Sequence, residues 1–286
     1  MATQTTADEH EPGFADGSRS RRWLSQARAF SERSLREVLN SWILLGTVVA
    51  LAPGMQLLFS MQGGDVPETM LASWAVGTGV FGAVYICLYV FGYQLATDLE
   101  DRRYEAYRSM PISPSADLGG RMFAGFCLAA VAFGLTLAAG VLTGASFGLR
   151  GPESIPIVLG AFALTCVFWM IVALPFIAAA KNERVAEYAV PMIAVAGYVL
   201  TGLNGVNAEM SPIDGELMNY LPNTLPTRLM VYHLVPGEEW VEIGVAPPAL
   251  PAGPEYLLAL FAYAAVALVV GTVLLNKVLY KRGWWP

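Results

Sequence analysis

The side chains with the types and spacing to do chemistry are few, and they gather in one place. Asp98–Arg121, DLEDRRYEAYRSMPISPSADLGGR, sets charges, two tyrosines and two prolines between apolar walls. In a chain only 14% charged, such an island is either a surface for a partner or a solvated loop helix. Asp98→Arg102 at i,i+4, and Glu100→Arg103 and Glu105→Arg108 at i,i+3, are opposite-sign neighbours on a helix, worth roughly a few tenths of a kcal/mol each. Leu99, Arg103, Ala106 and Met110 recur at helical spacing, and Pro111 and Pro114 end the run. The expectation is a short charged helix over Leu99–Met110 carrying Tyr104 and Tyr107, residue types favoured as interface anchors.

Catalytic chemistry is sparse elsewhere. The two histidines are His10, near the start, and His233, in a late polar segment. The sequence has no HExxH, no Gly-x-Ser-x-Gly and no GxxxxGK[ST], so zincin, nucleophile-elbow and P-loop chemistry are not expected of it. Glu183–Arg184 and Glu105–Arg108 read as solvated charged turns rather than active-site groups. Cys87, Cys127 and Cys166 lie inside apolar runs, where packing is the expected role. No ionisable side chain sits clearly in the middle of an apolar run, which argues against ion-coupled transport and for an apolar or amphiphilic cargo. Gln56, Gln94 and Asn204 are the candidate polar lining of a pathway, with inter-helix hydrogen bonding as the plainer role.

The elements that position these groups follow from composition. The chain has 286 residues, is 55% hydrophobic and has a mean hydropathy of +0.50. Soluble domains are about 25% charged, so a polytopic, all-α membrane protein is expected. Residues 1–20 are polar, which predicts a disordered tail and no cleavable signal peptide. In residues 21–40, Trp23, Ala27, Phe30 and Val38 fall near one helical face with Leu35 beside them, and Arg33 and Arg36 lie mostly elsewhere. That pattern predicts an amphipathic helix at the membrane interface, docked on its own protein or not.

Six spans are expected, at about 41–61, 72–97, 122–143, 155–180, 188–206 and 255–276, within a domain running 41–286. With the N-terminus inside, the inner segments hold fifteen of the seventeen Lys and Arg residues and the outer ones two, Arg150 and Arg228. The positive-inside rule therefore places both termini and loop 98–121 in the cytoplasm. Trp284 and Trp285 beside Lys281 and Arg282 suit an interfacial anchor. Residues 207–254 form a long outer loop whose amphiphilic part, Leu217–Val235, either dips back into the outer leaflet or folds as an external cap. A formal net charge of −6 suits a salt-loving organism such as an archaeon.

The layout from Arg21 onward resembles the permease subunit of ABC-2 type transporters. The resemblance rests on an amphipathic helix before span 1, six spans, a charged loop after span 2 ending in Met110–Pro111–Ile112–Ser113, and a long outer segment before the last span. Where that family shows an Arg-x-x-Gly-Thr-Leu-Glu-like run, this chain has Arg102–Arg103–Tyr104–Glu105–Ala106–Tyr107. The resemblance implies a half-transporter of the plasma membrane, mostly an exporter. It would pair with a second copy or a related permease and work with a separate ATP-binding cassette subunit that hydrolyses ATP. This chain itself would carry no cofactor, catalyse no reaction and bind no nucleic acid. It also implies roles. Leu99, Glu100, Arg102, Arg103, Tyr104, Glu105, Tyr107 and Met110 would couple to the ATPase. Residues 21–40 would be the connecting helix, and Lys181, Glu183 and Arg184 a secondary cytoplasmic contact. Two other classes remain: an intramembrane lipid-modifying enzyme using Glu183, Arg184 and His233, which the topology places on opposite sides, and a non-catalytic membrane scaffold.

Overall fold

A computed structural model describes residues 13–62, 66–179, 183–207, 210–237, 245 and 248–274. These residues are helical with short connections, and no strand occurs among them. The long helices are α1 (Gly13–Asn40), α2 (Trp42–Gln62), α3 (Glu68–Glu100), α5 (Pro114–Leu142), α6 (Ser154–Ala179), α7 (Glu183–Leu200) and α10 (Pro254–Leu274). Shorter ones are α4 (Arg103–Ser109), α8 (Gly202–Gly205) and α9 (Thr224–Leu234).

Five helices, α2, α3, α5, α6 and α10, are long and apolar enough to cross a membrane, so the chain is a multi-pass membrane protein. The fifth expected span, about 188–206, takes a different form. Helix α7 ends at Leu200, its apolar part is only Tyr188–Leu200, and a left-handed turn follows. The expected tail at residues 1–20 also changes. Helix α1 begins at Gly13 and runs into the amphipathic stretch, while residues 1–12 lie outside the described residues, as do Lys181 and the Trp284–Trp285 pair.

Helix α3 is the axis of the bundle, packed by α2, α5, α6 and α7 and buried along most of its length. Small residues make this central place available. At Gly82 a side chain would collide with Ala52 of α2, so the two backbones meet there. Helix α1 lies along α5, and a side chain at Gly120 would strike the Ala27 carbonyl and Phe30. Gly119–Gly120 is thus where the amphipathic helix seats on its own protein.

The late polar segment folds back onto the bundle. Helix α9 spans 11 residues, about 16 Å, too short to cross a bilayer core of about 30 Å. It packs on α3, α6, α8 and α10, and Leu225, Leu229, Met230 and Val231 are fully buried.

Candidate functional site

The charged island sits where α3 hands over to α4 and α5. Asp101 caps α3, and Arg102 turns the chain through a left-handed conformation, φ 56°. The expected helix over Leu99–Met110 is therefore two pieces: Leu99 and Glu100 close α3, and Arg103–Ser109 form α4. Met110 is extended, Ser113 occupies the N-cap position of α5, and Pro114 takes its first turn, where a missing N–H costs nothing. Gln26 of α1 holds this connection on both sides: its amide nitrogen donates to the Pro111 carbonyl at 2.9 Å and its oxygen accepts from the Ser113 N–H at 3.0 Å. Trp23 adds an indole bond to the Ser115 hydroxyl at 2.9 Å.

Beneath the connection lies a buried ionic knot. Asp98, fully buried, does not pair with Arg102 as local spacing predicts; the turn at Arg102 carries that side chain outward to solvent. One Asp98 oxygen accepts from Arg33 of α1 at 2.5 Å and from Arg103 of α4 at 2.8 Å, and the other accepts from Arg121 of α5. Arg121, 3% exposed, also donates to Asp117 at 2.6 Å, and Asp117 accepts from the Tyr104 hydroxyl at 3.1 Å. Arg33 reaches Glu37 at 2.9 Å and the Tyr107 hydroxyl. Phe30 meets Tyr107 edge-on at 5.6 Å and lies under the Arg121 guanidinium at 5.6 Å. Four helices are thereby tied through one carboxylate.

The electrostatics follow from burial and from that carboxylate. Burial opposes the Arg33 charge, yet the hydrogen bond and charge of Asp98 prevail and hold the guanidinium above its ordinary value. Burial, and then the Asp98 charge, raise the Tyr107 phenol.

The residues expected to meet a partner divide in two. Tyr104 is buried and Tyr107 half-buried, so both phenols face the knot. Arg102, Glu105, Ala106, Ser109 and Met110 form the outward ridge, and Met110 is 52% exposed. On α1, Phe30 is buried, Leu35 half-buried, and Arg36 exposed with Glu32 at 3.7 Å. Arg184 is exposed near the start of α7, which Glu183 opens. The three candidate lining residues are all buried against backbone: Gln56 donates to the Leu71 carbonyl at 3.4 Å, Gln94 to Ser34 at 2.9 Å, and Asn204 to Gly77 at 3.4 Å.

A second polar cluster lies about 30 Å away along α3, around Gly77. Gly202, Leu203, Asn204 and Gly205 are consecutive left-handed residues, with φ from 56° to 79°. Arg228 of α9, wholly buried, donates to the Gly205 carbonyl at 2.7 Å, to the Asn219 amide oxygen at 2.7 Å and to the Pro248 carbonyl. Asn223 donates to Thr201 at 2.8 Å and to Asn204 at 3.3 Å. At the other end of α9, His233 meets the buried Ser154 hydroxyl through Nδ1 at 3.0 Å, while its Nε2 has no partner. Comparison with protein-family models and with curated proteins gives no match for the chain.

Sequence reasoning missed Gln26, Asp98, Asp117 and Arg121 as one unit, and Arg228 as a clamp. A local signal existed for Asp117–Arg121, an i,i+4 pair of opposite sign. Asp98–Arg33 spans 65 positions and leaves no such mark.

Proposed function

We propose that the chain is the membrane-spanning subunit of an ATP-driven, ABC-2 type exporter of the plasma membrane, with α4 as the contact for a separate ATP-binding cassette subunit. The observation that carries this is α4 itself: a seven-residue helix with an exposed ridge, fixed from behind by a buried ionic knot. A push on that ridge would reach α1, α3 and α5 together, because all three contribute a side chain to the Asp98 knot. A solvated loop would have no need of such an anchorage.

The basic residues, gathered on the same side in the sequence, support a cytoplasmic position for α4. Two chains would pair and move an amphiphilic or hydrophobic solute, since the apolar helices hold few charged groups. Helix α9 and the left-handed turn would close the pathway on the outer side. The enzyme reading gains little: His233 is bonded to Ser154, which is fully buried.

The test is co-purification and coupling. In mild detergent the chain should carry an ATP-binding subunit. Arg102→Glu with Met110→Asp should abolish that association and leave the melting temperature of the chain within a degree or two, as surface changes do. Association that survives both substitutions, or an intact chain that never carries an ATPase, defeats the proposal.

A further inference from the structure

Between Ala75 and Ala96 every residue of α3 is buried except three: Tyr85, Tyr89 and Tyr93. They stand at i, i+4 and i+8, so they share one stripe of the helix. Their rings form a ladder, Tyr85 to Tyr89 at 5.7 Å and Tyr89 to Tyr93 at 6.3 Å between centroids, tilted by 50° and 41°. The column continues upward through Phe81, 5.9 Å from Tyr85, to Tyr198 of α7, 4.5 Å from Phe81.

The ladder begins in a groove. A wide, shallow groove along the outward face of α2 is lined by Trp42, Gly46, Ala50, Gly54 and Leu58, with Tyr85 of α3 at its floor. Nothing approaches within 4 Å of where side chains at Gly46 and Gly54 would stand, so the small residues leave real space.

The chemistry of the walls selects the ligand. From Trp42 to Gln62 and from Thr69 to Thr97 the chain has no Asp, Glu, Lys, Arg or His. The electrostatic feature left is the negative face of the aromatic rings, which attracts cations and repels anions. A small, strongly hydrated cation would not leave water for such a wall, but a large one with delocalised charge loses little hydration. We propose that the groove and the Tyr85–Tyr89–Tyr93 stripe form a binding track for lipophilic, delocalised organic cations. This deepens the transport reading by naming its cargo class, though the site can be tested without ATP or a partner.

The probe is tetraphenylphosphonium, with tetraphenylborate as the anion of matched shape. Binding is measured by equilibrium dialysis on the purified chain in nanodiscs, against empty discs. Saturable binding of the cation well above that of the anion is expected. Replacing all three tyrosines by leucine should weaken cation binding by about tenfold or more, whereas replacing them by phenylalanine should keep most of it, because the ring face is retained. Tyr89→Cys provides a check that tolerates a poorly folding triple variant: the cation should slow its maleimide labelling. Equal affinity for the anion, or full affinity in a folded leucine variant, overturns the proposal. So does a Tyr89→Cys chain that cross-links to a second copy with no effect of the cation, which would assign the groove to a dimer contact. Failure here leaves the α4 coupling untouched, and loss of coupling leaves the binding untouched.

Discussion

Arg121 and Arg228 are both buried arginines, yet the surroundings that hold them differ. Arg121 meets the carboxylates of Asp98 and Asp117, and Asp98 in turn gathers Arg33 and Arg103. Arg228 meets an amide oxygen and two backbone carbonyls. The first arrangement joins four separate helices through formal charge. The second joins consecutive loops and one short helix through dipoles. A charge network transmits displacement stiffly, because any movement separates ions in a low-dielectric interior. A dipolar clamp on a strained turn has a nearby alternative, since the left-handed residues gain by relaxing. The knot therefore suits a lever, and the clamp suits a latch.

The largest way to break this contrast is Asp98→Ala. Arg33, Arg103 and Arg121 would then lose the fully buried carboxylate they share, while Arg33 keeps Glu37, Arg103 keeps Asp101 and Arg121 keeps Asp117. Removing one partner of a buried ion pair costs about 3–5 kcal/mol, and the carboxylates that stay with each arginine place this change at the lower end. A large fall in melting temperature in nanodiscs is expected. Asp98→Ala with Arg33→Leu and Arg103→Leu should recover part of it by removing the excess charge. If the single variant melts like the parent, the knot is not what binds α1 and α4 to the bundle.

How far the sequence reveals this arrangement depends on the range of each interaction. The apolar runs announce α2, α3, α5, α6 and α10, because crossing a bilayer demands about 20 apolar residues in succession. The charged island announces α4, though as one helix from Leu99 and not as a helix restarted after Arg102. The pairing of Asp98 is hidden, since it depends on α1 crossing α5 at Gly119–Gly120, a tertiary event that no local spacing records. Tyr104 and Tyr107 look like interface anchors by type, but the knot takes both. The end of α7 is half visible: Gly202 and Gly205 mark a position where the backbone must turn, while the length of the apolar run conceals the break. In the sequence Arg228 counts only as one of two basic residues on the outer side, and its burial appears once α9 folds inward.

The second contrast is sharpened at the clamp. Arg228→Met keeps bulk and removes the donors to Gly205, Asn219 and Pro248. Buried acceptors left without donors cost about 1–3 kcal/mol. The expected loss of melting temperature is smaller than for Asp98→Ala, with faster hydrogen exchange confined to the segment after α7. Leu203→Gly should act in the opposite direction: a non-glycine residue in a left-handed turn costs roughly 1–2 kcal/mol, so this change raises stability. Should Leu203→Gly destabilise instead, side-chain packing of Leu203 outweighs the backbone term and the turn is not a strained latch.

The smallest effect belongs to the far end of α9. Burial lowers the His233 imidazole below its ordinary value, opposed by the Glu153 charge and assisted by Arg150. A depressed histidine binds fewer protons folded than unfolded. Its contribution to stability is therefore complete above the unfolded value of about 6.5 and is lost as pH falls through that value toward the folded one. Melting temperatures at pH 7.5 and 5 should differ more for the parent than for His233→Gln, which keeps a polar partner for Ser154 without titrating. The knot offers a control. Arg33 is held above an already high value, so its charge does not change in this window. Acid should thus loosen the α9 end while leaving the Arg33 charge unchanged, and exchange measurements that show the α1–α4 contact opening first would reverse the assignment of lever and latch.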